Sequence, residues 1–248
     1  MTTIPSTTSV FKSLLRADLT TLWRNRRASI MVILVPVVIL LTWKGFVERM
    51  GGAFVLSNCI TVGLNAIGLM GYTNSIARDR EKGIFQRLRV APASNWSIMA
   101  SRLAVQLMMI VILTLVIFIV GYQYDGIHMS LGNYALALVM SILGGAVYLS
   151  LGQVIVGLIK NPESVNATAR LVYFAFIMVG MFTEFGVMGE VVDNITKFSP
   201  YGAVRQLVAA GLTPSKWNND TNIALLLTLG YTVVFSTLGI KWFRWSTR

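Results

Sequence analysis

Long apolar runs alternate with short polar breaks along this chain. Six runs are long enough to cross a bilayer as a helix, which takes about 20 residues. They are predicted near residues 28–47, 54–77, 103–123, 133–158, 170–190 and 222–241. Backbone amides and carbonyls in lipid must be satisfied internally, so the runs are read as helices rather than open strands. Pro36 is expected to interrupt the first, a defect that neighbouring helices can accommodate. Two further stretches have amphipathic periodicity. In 9–23, Phe11, Leu14, Leu15, Leu19 and Leu22 share one face. Lys12, Ser13, Arg16, Asp18 and Thr20 lie mainly elsewhere, and Trp23 suits the headgroup region. This predicts a helix lying in the membrane interface. In 78–92, mixed charges (Arg78, Asp79, Arg80, Glu81, Lys82, Arg87, Arg89) surround an apolar ridge of Ile84, Phe85 and Leu88. Pro92 is expected to end that helix, because it lacks an amide donor and restricts Ala91.

Composition supports a polytopic membrane protein. Hydrophobic residues make up 55% of the chain, charged residues 12%, and the mean hydropathy is +0.67. The net charge of +11 does not point to nucleic acid, because the cations flank apolar runs instead of forming one basic face. They do set an orientation. Of the 21 Lys and Arg residues, only Lys44, Arg49, Lys197, Arg205 and Lys216 fall outside the segments that face the cytoplasm if the N-terminus is inside. Both termini are therefore expected in the cytoplasm. No secretory signal is visible, so the first span is expected to be a retained anchor.

Candidate chemistry is sparse. The single cysteine, Cys59, excludes an internal disulfide and a multi-cysteine metal site, and reads as a packing residue. His128, the only histidine, falls in the loop between spans three and four. No conventional zinc centre or Ser–His intramembrane protease follows from that inventory. Glu184 and Glu190 are candidate acids, but both lie toward the outer end of span five; Glu184 reads as a functional acid or as a polar group near the surface. In span two, Asn58, Thr61, Asn65, Gly68, Tyr72 and Ser75 recur every three or four residues and so share one helical face. Two readings stand: close helix packing in lipid, or the wall of a pathway. Span five offers Phe174, Phe176, Ile177, Met178, Met181 and Phe182, which suit a tolerant apolar binding surface or ordinary packing. No phosphate-binding G-x-x-x-x-G-K-[ST] occurs.

The charged stretch carries a resemblance. Arg80-Glu81-Lys82-Gly83, an apolar pair, Leu88 and Ala91-Pro92-Ala93-Ser94 resemble the first cytoplasmic loop of ABC-2 type transporter permeases. Trp23-Arg24-Asn25-Arg26 before a proline-containing span fits too, as does Phe198-Ser199-Pro200-Tyr201 followed by Ala203, Arg205 and Gly211. Gly83-Ile84 departs from the Gly-Thr of many relatives. The resemblance covers nearly the whole chain. It implies one all-α, type V exporter-like transmembrane domain. This has six transmembrane helices, an N-terminal interfacial helix, a cytoplasmic coupling helix over 78–92 and an outer re-entrant segment over 191–212.

The coupling helix is expected to rest in a groove of a cytoplasmic ATPase, with Arg80, Glu81, Lys82, Gly83, Phe85 and Leu88 as docking residues. Lys160-Asn161-Pro162-Glu163 would add secondary contacts. Spans two and five would line a cavity between two like subunits, in a homodimer or heterodimer. Asn58, Thr61, Asn65, Tyr72, Phe176, Met178 and Phe182 are then the pathway candidates. The chain itself would bind no cofactor; ATP and Mg would sit on the partner. The implied function is export of a hydrophobic or amphipathic compound, such as a drug or antibiotic, across a bacterial inner membrane. A non-transporting scaffold subunit and a membrane-embedded enzyme are the alternatives.

Overall fold

A computed structural model describes residues 7–24, 26–90, 95–184 and 189–242, and among them it is all helix and turn. Helix α1 (Thr7–Arg24) packs on α6 (Asn95–Tyr124). Helix α2 (Arg26–Thr42) contains Pro36 and continues through it. The break comes instead at Trp43, where the path turns by 63° into α3 (Lys44–Met50). There the Trp43 amide is shared between the carbonyls of Ile39 and Leu40. The first apolar run is thus a bent pair of helices, not one straight span. Gly51, at φ 89°, ends α3 in a conformation that side chains disfavour, and α4 (Gly52–Glu81) starts directly after it.

Helix α4 is the centre of the molecule. Its apolar stretch is 83% buried inside the chain, against 17% for the last helix, α11 (Asn219–Trp242), which lies at the periphery. Around α4 stand α2, α6, α7 (Leu131–Leu158) and α8 (Pro162–Glu184). Helices α4, α6, α7, α8 and α11 are each long and apolar enough to cross a membrane, and the bent α2–α3 pair brings the number to as many as six. This is a multi-pass membrane protein.

The charged stretch is not one helix over 78–92. Helix α4 runs straight into it as far as Glu81. The chain then turns at Lys82-Gly83, with Gly83 at φ 65°, and starts α5 (Ile84–Val90). A left-handed glycine halts an α-helix and reverses its path, so the Gly83 position divides the predicted helix. Pro92 lies outside the described residues.

At the opposite end, α9 (Glu190–Lys197) and α10 (Pro200–Leu212) form a compact pair between α8 and α11. The Phe-Ser-Pro-Tyr motif builds the corner between them. Ser199 Oγ accepts from the Gly202 amide at 3.1 Å and donates to Thr196 O at 2.6 Å, while Pro200 takes the first helical position, where no amide is needed. Tyr201 is buried. Its ring covers Gly180 of α8 so closely that a Cβ there would fall 2.3 Å from it, and its hydroxyl donates to Asn58 Oδ1 of α4 at 3.3 Å. Helix α10 is thereby bolted to the core.

Candidate functional site

The middle of α4, Ala66–Tyr72, is π-helical. The Thr73 amide bonds back to Gly68 O, and Thr73 Oγ1 donates to the same carbonyl at 2.8 Å. A single π turn takes up about one more residue than an α turn, so the faces before and after the segment are out of phase by roughly 100°. The three-and-four spacing of the polar stripe therefore does not stay on one face.

The first half of the stripe is turned into the protein. Asn58 bonds Phe54 O and Tyr201, Thr61 bonds Ser57 O, and Asn65 Nδ2 donates to Tyr173 O of α8 at 3.2 Å. All three are buried within this chain and are not among the residues that line the cavity described below. Gly68 abuts α7: a Cβ on it would lie 2.5 Å from the Tyr148 backbone, and one on Gly152 would lie 2.8 Å from Gly68 O. The second half differs. Tyr72 donates to Gln153 Oε1 at 2.6 Å, yet it and Ser75 also border open space.

That space is a cavity of about 760 Å³ between α1, α2, α4 and α6, reaching Tyr173 and Phe174 of α8. Its floor is apolar, with Met31, Val35, Ile67, Met70 and Met109. Its rim is charged, with Arg24, Arg78 and Lys82 exposed. At one wall Arg102 of α6 pairs with Asp79 of α4 and lies 3.8 Å from Asp18 of α1; Ser101 donates to Asp18 at 2.6 Å. One arginine so ties α1, α4 and α6 together at the charged end, and it also sits over the Phe85 ring at 5.4 Å.

Of the residues expected to dock a partner, Arg80 and Phe85 point into this chain. Arg80 is 2% exposed. It donates to Val156 O at 2.7 Å, Ile159 O at 2.7 Å and Lys160 O at 2.9 Å. Those carbonyls end α7, where intrahelical donors run out and the dipole favours a cation. Phe85 is fully buried beneath Arg102. Glu81 and Lys82 are exposed and Gly83 is half-buried at the turn; the Leu88 side chain lies outside the described ones. Gln86 and Arg87, not among the sequence candidates, share the exposed edge. A signal for Arg80 was present, since Tyr72, Ile76 and Arg80 recur every four residues along the buried face of α4.

On α8, Phe176 packs edge-on to Tyr148, 6.3 Å between ring centres. Met178 and Phe182 are 47% and 43% exposed and face away from the chain. Asn161 caps α8 by accepting from the Glu163 amide at 2.8 Å. The Glu184 side chain lies outside the described residues.

A sequence model of the ABC-2 type transporter family matches residues 9–212, from α1 to the end of α10. The chain belongs to this family. An ABC-2 membrane domain is a permease without a nucleotide-binding site of its own. The matched region of this ABC-2 chain takes in the cavity, the π-helical segment and the Gly83 turn. No curated protein matches it.

Proposed function

We propose that this ABC-2 permease subunit exports a hydrophobic or amphipathic compound across a bacterial inner membrane, powered by a separate cytoplasmic ATPase subunit. ATP and Mg belong to that partner. The observation that carries the reading is the charged end. A family permease presents an exposed edge (Glu81, Lys82, Gln86, Arg87) at a glycine turn, and the residues behind it are fixed to the bundle by Arg80 and Phe85. Such an edge suits docking, because a force on it reaches the spans without loss in a flexible loop. Mixed charge favours a protein over an anionic lipid surface as its partner. The cation bias supports a cytoplasmic position for this end and for both termini.

Two copies, or this chain with a similar one, would enclose the pathway, with the exposed Met178 and Phe182 face of α8 as one wall. Tyr72 borders the cavity, whereas Asn58, Thr61, Asn65 and Phe176 serve the packing of the wall. ATP-driven approach of the partner subunits then shifts the pathway between inward and outward access through contacts that differ between the two states.

The test is purification of the tagged full chain from its native membrane. A co-purifying subunit with a phosphate-binding loop and vanadate-sensitive ATPase activity is expected. The double variant Glu81→Arg, Arg87→Glu should lose that subunit while keeping its own folded elution profile. Retention of the ATPase by the variant would remove the docking assignment. Absence of any such ATPase with the wild type would favour the scaffold alternative.

A further inference from the structure

The cavity beside α4 joins two chemistries. Its rim has Arg24 from α1 and Arg78 and Lys82 from α4, and among the described residues none of these three forms an ion pair. Arg78 and Lys82, four residues apart, project on the same side of the helix end. The acids nearby are already engaged: Asp79 pairs with Arg102, and Asp18 takes Arg102 and Ser101. Glu81 is exposed beside the rim but is not part of the wall. The carboxylates of Asp18 and Asp79 share one guanidinium, so with Arg24, Arg78, Lys82 and Arg102 against them the lining keeps a net excess of two positive charges. Below the rim the lining is mostly apolar, with Ser75 and Gln106 among its polar members, and includes flexible thioethers, Met31, Met70 and Met109, with Phe174 at the far side. Thioethers adapt to variable apolar shapes.

The dimensions match a membrane lipid. From Arg78 to Ala66 the wall follows 12 residues of α4, roughly 18 Å at the usual helical rise. Half of a ~30 Å hydrocarbon core is about 15 Å. The slot thus runs from headgroup level to near the bilayer middle, which is the span of one leaflet. A soluble anion has no use for the apolar floor, and a neutral hydrophobe has none for the rim.

We propose that this cavity binds an anionic phospholipid from the leaflet at the charged end. Its phosphate is held by Arg24, Arg78 and Lys82 and its chain lies along Met31, Val35, Met70, Met109 and Phe174. The inner leaflet, where the cation bias places this end, is the one rich in anionic lipid. The binding needs neither ATP nor a partner, so it stands or falls separately from the export reading.

The full chain, reconstituted in phosphatidylcholine nanodiscs, is titrated with spin-labelled dioleoyl phosphatidylglycerol and with its phosphatidylcholine counterpart. The expected result is an immobilised fraction at least fivefold tighter for phosphatidylglycerol, weakened about fivefold for each cation removed in Arg78→Gln and Lys82→Gln. Gly71 lines the cavity, and a Cβ there meets only Ala66 O, at 3.8 Å. Gly71→Leu should therefore fill the slot without disturbing the fold, checked by circular dichroism and size exclusion, and abolish the tight fraction while all cations remain. Lipid that merely borders the helices would be held equally in this variant, and that outcome overturns the site. So does equal affinity for the two lipids. Displacement by inorganic phosphate but not by chloride at the same ionic strength would make the rim a soluble-anion site and end the proposal. So would a wild type without tight lipid whose dimer is broken by Gly71→Leu, since a second copy would then occupy the slot.

Discussion

The two faces of α4 use polarity in opposite ways. Toward α7, α8 and α10, most of its polar groups bond within the chain: Asn58 meets Tyr201, Asn65 Nδ2 meets Tyr173 O, and Arg80 meets three carbonyls of α7 and the turn after it, while Asn65 Oδ1 and Arg80 Nε have no hydrogen-bond partner among the described residues. Toward α1 and α2 its cations stand over an open slot with no ion-pair partner among the described residues. Both faces come from one largely apolar helix with polar or small residues every three or four positions. Polarity in a membrane segment is thus informative only when its partner is known. A satisfied group holds helices together, and an unsatisfied one at a rim is available for a ligand.

Arginines two residues apart give the sharpest test of that contrast. Arg80→Ala should cost about 3 kcal/mol, since it removes charge-assisted hydrogen bonds and leaves helix-end carbonyls bare. A fall in melting temperature of roughly 5–10 °C in detergent is the expected reading. Arg78→Ala should stay within about 0.5 kcal/mol of the wild type. Similar losses in both would erase the distinction between the faces.

The glycines come next. Gly68→Ala forces a Cβ against the Tyr148 backbone and should cost about 1–3 kcal/mol. Gly71→Ala, three residues on, has room and should gain about 0.5–1 kcal/mol through lower chain entropy in the unfolded state. Thermal unfolding of the pair, followed by tryptophan fluorescence, gives both signs. A loss well below that of Arg80→Ala is expected from Tyr201→Phe. It deletes only the hydroxyl facing Asn58, at about 1 kcal/mol. A loss as large as that of Arg80→Ala would mean that the outer helix pair, not the charged end, carries the greater share of α4's anchoring.

Much of this architecture could be read from residue patterns. The apolar runs placed the long helices because lipid leaves the backbone few alternatives, and Ser199-Pro200 announced a helix start through its capping chemistry. The bend at Trp43 and the π-helical Ala66–Tyr72 are not readable from the residues alone: Pro36, the obvious breaker, lies in continuous helix, and the glycines near both places, Gly45, Gly68 and Gly71, are common in membrane helices. The spacing of the stripe keeps it on a single face only where the α period is unbroken, and the π turn breaks that period. Arg80 and Phe85 looked like surface residues because their sequence neighbours are charged. What buries them is distant in sequence, Val156 for the one and Arg102 for the other. The cavity itself depends on helices brought together from five parts of the chain, which no local spacing encodes.

The grip of Arg80 on the end of α7 has a mechanical meaning. A rigid strut between two beams forces them to tilt as a pair. With Gly68 and Gly152 in backbone contact farther along, α4 and α7 are pinned at two heights and cannot shear past one another without opening one pin. A displacement of the Glu81–Gly83 corner would therefore rock both helices as one lever.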